Sequence, residues 1–198
     1  MTDDTLGLLA SALGQVEGTI AAIRPERQGE LPTPCPQWTV RDLVEHLVGQ
    51  DLRNFIASTR GETVDWTAPA QPLGGDWAAQ ARDATASLQA AWDGVDLEAP
   101  DPTGGLPTMR DRVDQQITEL TVHTWDLTAA LGVTDVVSGE TGEALAEHAL
   151  AWARTVLLPE YRGPDKAIGD EVPVPADAPA PARLAGFFGR DPAWQPPA

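Results

Sequence analysis

The feature that most restricts the fold is the run from Met109 to Leu131, in which Val113, Ile117, Leu120, Thr124, Leu127 and Leu131 keep a spacing of three and four. That is the period of one helix face, and Gly132 stands where a left-handed residue would end the helix. A seam of this length needs partner helices with seams of their own. Leu6, Leu9, Leu13, Val16, Ile20 and Ile23 supply one over residues 4–24. Thr39 and Asp42 resemble a capping box, and behind them Val40, Leu43, Val44, Leu47 and Val48 supply another that continues to about Ser58. Trp77, Ala81, Ala84, Leu88 and Ala91 give a third over 76–93, and Leu145, Ala149, Trp152 and Val156 give one more over 139–158, before Pro159.

The connections are rich in breakers, as in RPERQGELPTP, RGETVDWTAPAQPLGG and APDPTGGLPT. The pattern therefore predicts an all-α chain that packs its helices as a bundle. Beyond it, VPVPADAPAP can be at most an extended or edge segment, because proline donates no ladder hydrogen bond. PARLAGFFG adds a short helix, with Pro181 in its first turn and Gly189 past its end. The expected organisation is a helical bundle over 1–160 and a short proline-rich extension packed on it over 161–198. No internal repeat is present.

Thirty acidic against thirteen basic residues give a net charge of −17, which repels phosphate backbones and anionic membrane surfaces and argues against nucleic acid as a partner. No run is long enough to span a bilayer, and MTDDTLGLLASALG lacks the basic start of a secretory signal, so a cytoplasmic protein is expected. A single cysteine, Cys35, allows no internal disulfide, in keeping with a reducing compartment.

Chemistry is concentrated in ELTVHTWD. Glu119 and His123 lie four residues apart and Asp126 three further on, so all three fall within an arc of about 60° on successive turns. Gln116 extends the same polar stripe. Such a pair is either a solvated helix contact or two ligands of one cation. A third ligand from a neighbouring helix would complete a set suited to zinc, iron, nickel or cobalt. His46 is the candidate, since it sits about 60° from Leu43 at the rim of its apolar face. A half-covered surface histidine would occupy the same place. Two histidines and a glutamate would leave a coordination position for water or substrate.

Around this set, Asp126 suits an acceptor for a ligand histidine, and Trp38 and Trp125 are positioned in sequence to wall the site. His148 reads as packing or surface. Cys35, between two prolines, reads as a small buried side chain, with nothing near it in sequence to lower its pKa.

TPCPQWTVRDLVEHLVG, ELTVHTWDLTAALG and LAGFFGRDPAW, in this order, resemble an actinobacterial metal-binding family related to mycothiol-dependent maleylpyruvate isomerase, within the wider DinB-like four-helix bundles. The resemblance covers most of the chain, and W-T-V-R-D-L-x-x-H-L is its most specific part. It implies a DinB-like antiparallel four-helix bundle with an additional C-terminal helix, in which His46, Glu119 and His123 hold a divalent metal, zinc being favoured and nickel or iron compatible. It also implies mycothiol, a low-molecular-weight thiol, as cosubstrate, and a small electrophile as substrate. The reaction would be a thiol transfer or an isomerisation through a transient thiol adduct. Two other readings stay open, a non-catalytic metal- or small-molecule-binding bundle and a metal-free scaffold. A homodimer, with the tail paired against a second subunit, is also compatible.

Overall fold

The computed structural model describes residues 4–36, 38–133, 135–157, 159–163 and 168–196. Five long helical elements and one shorter helix carry the architecture. These are α1 (Thr5–Ala21), a composite second element made of α2 (Val40–Val44), a π-helical segment (Glu45–Asp51) and α3 (Leu52–Thr59), then α4 (Trp77–Ala91), α5 (Met109–Leu131), α6 (Glu140–Val156) and α7 (Ala180–Phe187). Among the described residues there is no strand, only isolated bridges such as Pro32 with Thr39 and Pro100 with Thr108.

Local signals set the helix starts. Thr39 and Thr108 each accept from the backbone N–H three residues on, while Asp42 and Asp111 accept in return, two complete capping boxes. Asp76 caps α4 by accepting from the Ala79 N–H. At the other end of α5, Gly132 takes φ 68°, a left-handed conformation that glycine adopts without strain.

Packing follows the seams. α5 lies between α1 and α6, α1 also packs on α4, and α4 closes on α3, which gives the DinB-like antiparallel bundle. Its main core is built from Leu9, Leu13, Val16 and Ile20 of α1, Leu43, Leu47, Leu52 and Phe55 of the second element, Leu88 of α4, and Ile117, Leu120 and Leu127 of α5. Leu6 departs from the expected seam. It is 37% exposed, because Thr5 and not Leu6 is the residue that the first turn buries, at 4%, which leaves Leu6 on the flank of the face.

A second, smaller cluster joins Val122 of α5 and Ala146, Ala149, Leu150 and Ala153 of α6 to Leu184, Phe187 and Phe188. Burying Leu184 and Phe187 there contributes about 1.5–3 kcal/mol each. The proline-rich run before α7 is extended but makes no ladder; the Val172 N–H donates to the Gly186 carbonyl, and Pro173 and Pro175 have no N–H to give. The expected end of the fifth helix at Leu158 lies outside the described residues. No described helix is long and apolar enough to cross a membrane.

Candidate metal centre

The second element was expected to be a continuous α-helix. Instead it widens to π-helical bonding from Glu45 to Asp51, a form found mostly as single turns at functional sites. The change decides which side chains meet. In an α-helix, residues five apart point about 140° away from each other. In the wider turn His46 and Asp51 come together, with His46 Nε2 3.1 Å from Asp51 Oδ2.

The connection after α3 is fitted against this turn. The Gln71 N–H donates to the Gly49 carbonyl at 3.3 Å, and a Cβ at Gly49 would stand 2.2 Å from the Gln71 carbonyl oxygen, so only glycine admits the crossing strand. Glu45 accepts from the Leu73 N–H at 3.2 Å. Gln50 donates its amide to the Trp66 carbonyl at 3.1 Å and to the Ala68 carbonyl. Because that amide nitrogen is spent on carbonyls, Gln50 Oε1 is left to accept from His46 Nδ1 at 2.7 Å. His46 therefore carries its proton on Nδ1 and presents Nε2 inward.

His123 is oriented by the same logic from α5. Its Nδ1 lies 3.0 Å from Asp126 Oδ2, which takes the ring proton, and its Nε2 faces Glu119 Oε2 at 3.7 Å. The two imidazoles stand edge to face with centroids 5.1 Å apart, and Trp38 lies against both, at 4.5 Å from His46 and 5.9 Å from His123. Trp38 is held there by Thr33, whose hydroxyl accepts from the Cys35 N–H at 3.1 Å and donates to the Trp38 carbonyl at 2.9 Å.

Two carboxylates border the imidazoles. Burial pushes the Glu119 pKa up; His123 opposes that shift and Asp51 adds to it. Its side chain nonetheless retains 38% of its surface, so Glu119 stands at the accessible edge with its carboxylate crowded by protein atoms. Burial pulls the His46 pKa down, but Asp51, Gln50 and Glu119 more than offset this and leave it raised. Asp51 Oδ2 is buried and has no hydrogen-bond partner, since its short approach to His46 Nε2 is badly aligned. Facing imidazoles, paired carboxylates and an orphaned buried oxygen are a donor set that fits a divalent cation.

Behind His123 lies a second layer. Arg190, just past α7, grips Asp126 with two donors, Nε to Oδ1 at 3.1 Å and Nη2 to Oδ2 at 2.9 Å. Despite its burial, the Asp126 carboxyl is held at about 2 by Arg190 and His123. The Arg190 pKa is raised in return. Cys35 Sγ donates to Asp126 Oδ2 at 3.3 Å and lies 3.2 Å from Arg190 Nη2. Burial, reinforced by the Asp126 charge, pushes the Cys35 thiol up to about 12.

Among the described residues, two trios of possible ligands have donor atoms all within 4.8 Å of one another, His46 with Asp51 and His123, and Cys35 with His123 and Asp126. The second is already closed by Arg190, whose charge opposes a cation. Glu119 belongs to neither trio and joins the cluster through His123. Gln116 is fully buried and committed elsewhere, accepting from Trp92 Nε1 at 2.9 Å and donating to Thr59 Oγ1 at 3.1 Å. Trp125 follows His123 by two residues and so leaves α5 on another side, half-buried. His148 pairs with Asp114 at 2.7 Å, away from the cluster. Sequence reasoning missed Asp51, Gln50 and Arg190. The first two lie five and four residues after His46, and the last sits in the GRDPAW segment.

The family model for the mycothiol maleylpyruvate isomerase N-terminal domain matches residues 9–128, which include His46, Asp51, Glu119, His123 and Asp126. Two proteins of Mycobacterium tuberculosis, from strain CDC 1551 / Oshkosh and strain ATCC 25618 / H37Rv and both described as uncharacterized, are each 36% identical over 174 residues, 86% of this chain and 89% of theirs. No solved structure matches the chain significantly. Because the family match takes in both histidine-bearing elements and more than half of the sequence, the chain belongs to the mycothiol maleylpyruvate isomerase N-terminal domain family.

Proposed function

We propose that this protein is a divalent-metal-dependent enzyme that uses a low-molecular-weight thiol of the mycothiol type, as a transferase or isomerase acting on a small electrophile. The observation that carries the reading is the pair of facing imidazoles, each with Nδ1 bound to a protein acceptor and each with Nε2 turned toward a carboxylate. His46, His123 and Glu119 would hold the cation, with zinc favoured by the donor chemistry and nickel or iron compatible. When bound there, such a cation favours the thiolate over the thiol.

The chain's own groups prepare the rest. Gln50 and Asp126 engage Nδ1 of the two rings, which leaves each Nε2 turned toward a carboxylate. Trp38 covers one side of the rings and excludes water there. Glu119, partly exposed, marks the side on which thiol and electrophile enter. Cys35 is kept as a thiol by burial and by Asp126, so the attacking sulfur comes from the cosubstrate and not from the protein. Attack on an electrophilic carbon yields a stable thioether in a transferase. In an isomerase the adduct rotates about the bond that has become single and then expels the thiol.

Elemental analysis of the purified protein against His46→Ala and His123→Ala tests the first half. The wild type is expected to hold one equivalent of metal and each variant far less; equal metal contents overturn the reading. Titration with mycothiol, followed by assay against small electrophiles, tests the second half. A metal-replete protein that neither binds mycothiol nor consumes any electrophile in its presence is no thiol enzyme.

One observation favours a second reading, a non-catalytic metal-binding bundle. Asp51 and Glu119 together with two histidines suffice to fill a four-coordinate shell. X-ray absorption at the zinc edge separates the two readings. A zinc–sulfur scattering path on addition of thiol supports the enzyme, and an unaltered nitrogen and oxygen shell supports the binding module.

A further inference from the structure

We infer that Asp51 is a protein ligand of the cation that His46 and His123 hold, brought to it by the π-helical turn. The inference rests on the metal-binding half of the reading above. Asp51 is 5% exposed, yet its Oδ2 has no hydrogen-bond partner. A buried carboxylate oxygen left in that state is costly. Among the described residues no arginine or lysine pairs with it; its charged neighbour is His46, whose Nε2 approaches at 3.1 Å without the alignment of a hydrogen bond. His46 Nε2 and Asp51 Oδ2 thus stand 3.1 Å apart without a well-aligned hydrogen bond, close enough to share a third atom.

His123 completes the set, its donor nitrogen lying within 4.8 Å of the donors of His46 and Asp51. Glu119 is not part of that trio and keeps over a third of its side chain exposed. The sealed carboxylate is thus the better placed of the two. Two imidazole nitrogens with one carboxylate oxygen suit zinc, cobalt, nickel or iron(II) and not the hard cations calcium and magnesium.

The backbone points the same way. A π turn costs regular helix bonding, and here it is fixed by the Gly49 to Gln71 crossing and by the bonds of Gln50 to Trp66 and Ala68. Its effect on side chains is to swing Asp51 from the far side of the helix onto the side of His46.

The test is zinc affinity, read by competition with a chromophoric chelator, for the wild type, Asp51→Asn and Glu119→Gln. Asp51→Asn keeps the size of the side chain and removes its charge. It is expected to weaken zinc binding by more than about 100-fold, beyond what loss of an outer hydrogen-bond partner produces. An affinity within about twofold of wild type overturns the inference.

Asp51→Cys in a Cys35→Ser background, loaded with cobalt(II), provides a readout that a merely structural role would not move. A thiolate-to-cobalt charge-transfer band is expected, with none in the Cys35→Ser parent, and its absence from a cobalt-loaded variant overturns the inference even if Asp51→Asn fails to fold. A wild type that takes up no zinc at all would instead sink the metal reading itself.

Discussion

At the scale of single residues, the most heavily committed group is Asp126. It is fully buried and carries its charge against a forked guanidinium, a ring N–H and a thiol. Removing one partner of such a pair leaves a desolvated charge behind, at a cost of about 3–5 kcal/mol. Arg190→Gln is therefore expected to lower stability by about that amount in urea melts, and also to weaken zinc binding about 10–100-fold through the freed His123 ring. Arg190→Lys should recover only part of both, because an ammonium cannot reproduce the fork. A variant with wild-type zinc affinity would show that the clamp does not govern how His123 is aimed.

At the scale of elements, the π segment and the loop that crosses it stand or fall together. Gly49→Ala places a methyl group against the Gln71 carbonyl, where there is no room for it. It is expected to cost about 1–3 kcal/mol and to speed hydrogen exchange at the Gln71 and Leu73 amides, whose acceptors are Gly49 and Glu45. Unchanged exchange at both amides would refute the coupling. The same segment explains what was legible in the sequence and what was not. α5 could be read from end to end, since Thr108, Asp111 and Gly132 fix both its ends by local bonding. The π turn could not, because its cause is a strand contact across 22 residues of chain that no helical period encodes. Asp51 was hidden for that reason, lying on the wrong side of an α-helix from His46. Arg190 was hidden for another. It is 64 residues from Asp126, and nothing in its neighbours announces the pairing.

At the scale of the whole molecule, Asp126 and His46 are two of the shifted groups through which the metal-free protein responds to acid and base. Asp126 is lowered from 3.8 to about 2, so its contribution of about 2 kcal/mol is present above pH 4 and is lost as the pH falls toward 2. His46 is raised from 6.5, so its contribution is full below that value and is lost as the pH climbs through the raised one. The urea midpoint of the metal-free protein is expected to fall on both sides of a mildly acidic plateau. His46→Gln should lessen the decline on the alkaline side and spare the acidic one. A midpoint that stays flat from pH 5 to 2 would remove Asp126 from this account.

Arg190 is also made later than every group it touches. On the ribosome, the loop that bears Cys35 and the helix that bears Asp126 emerge before this arginine and can dock without it. Until it arrives, Asp126 has no guanidinium to meet it, and the imidazole it steers is free to turn. Emergence of this arginine from the ribosome is thus the moment at which a loosely assembled bundle acquires its final aim, and messages truncated before its codon would yield chains that are helical but poorly set.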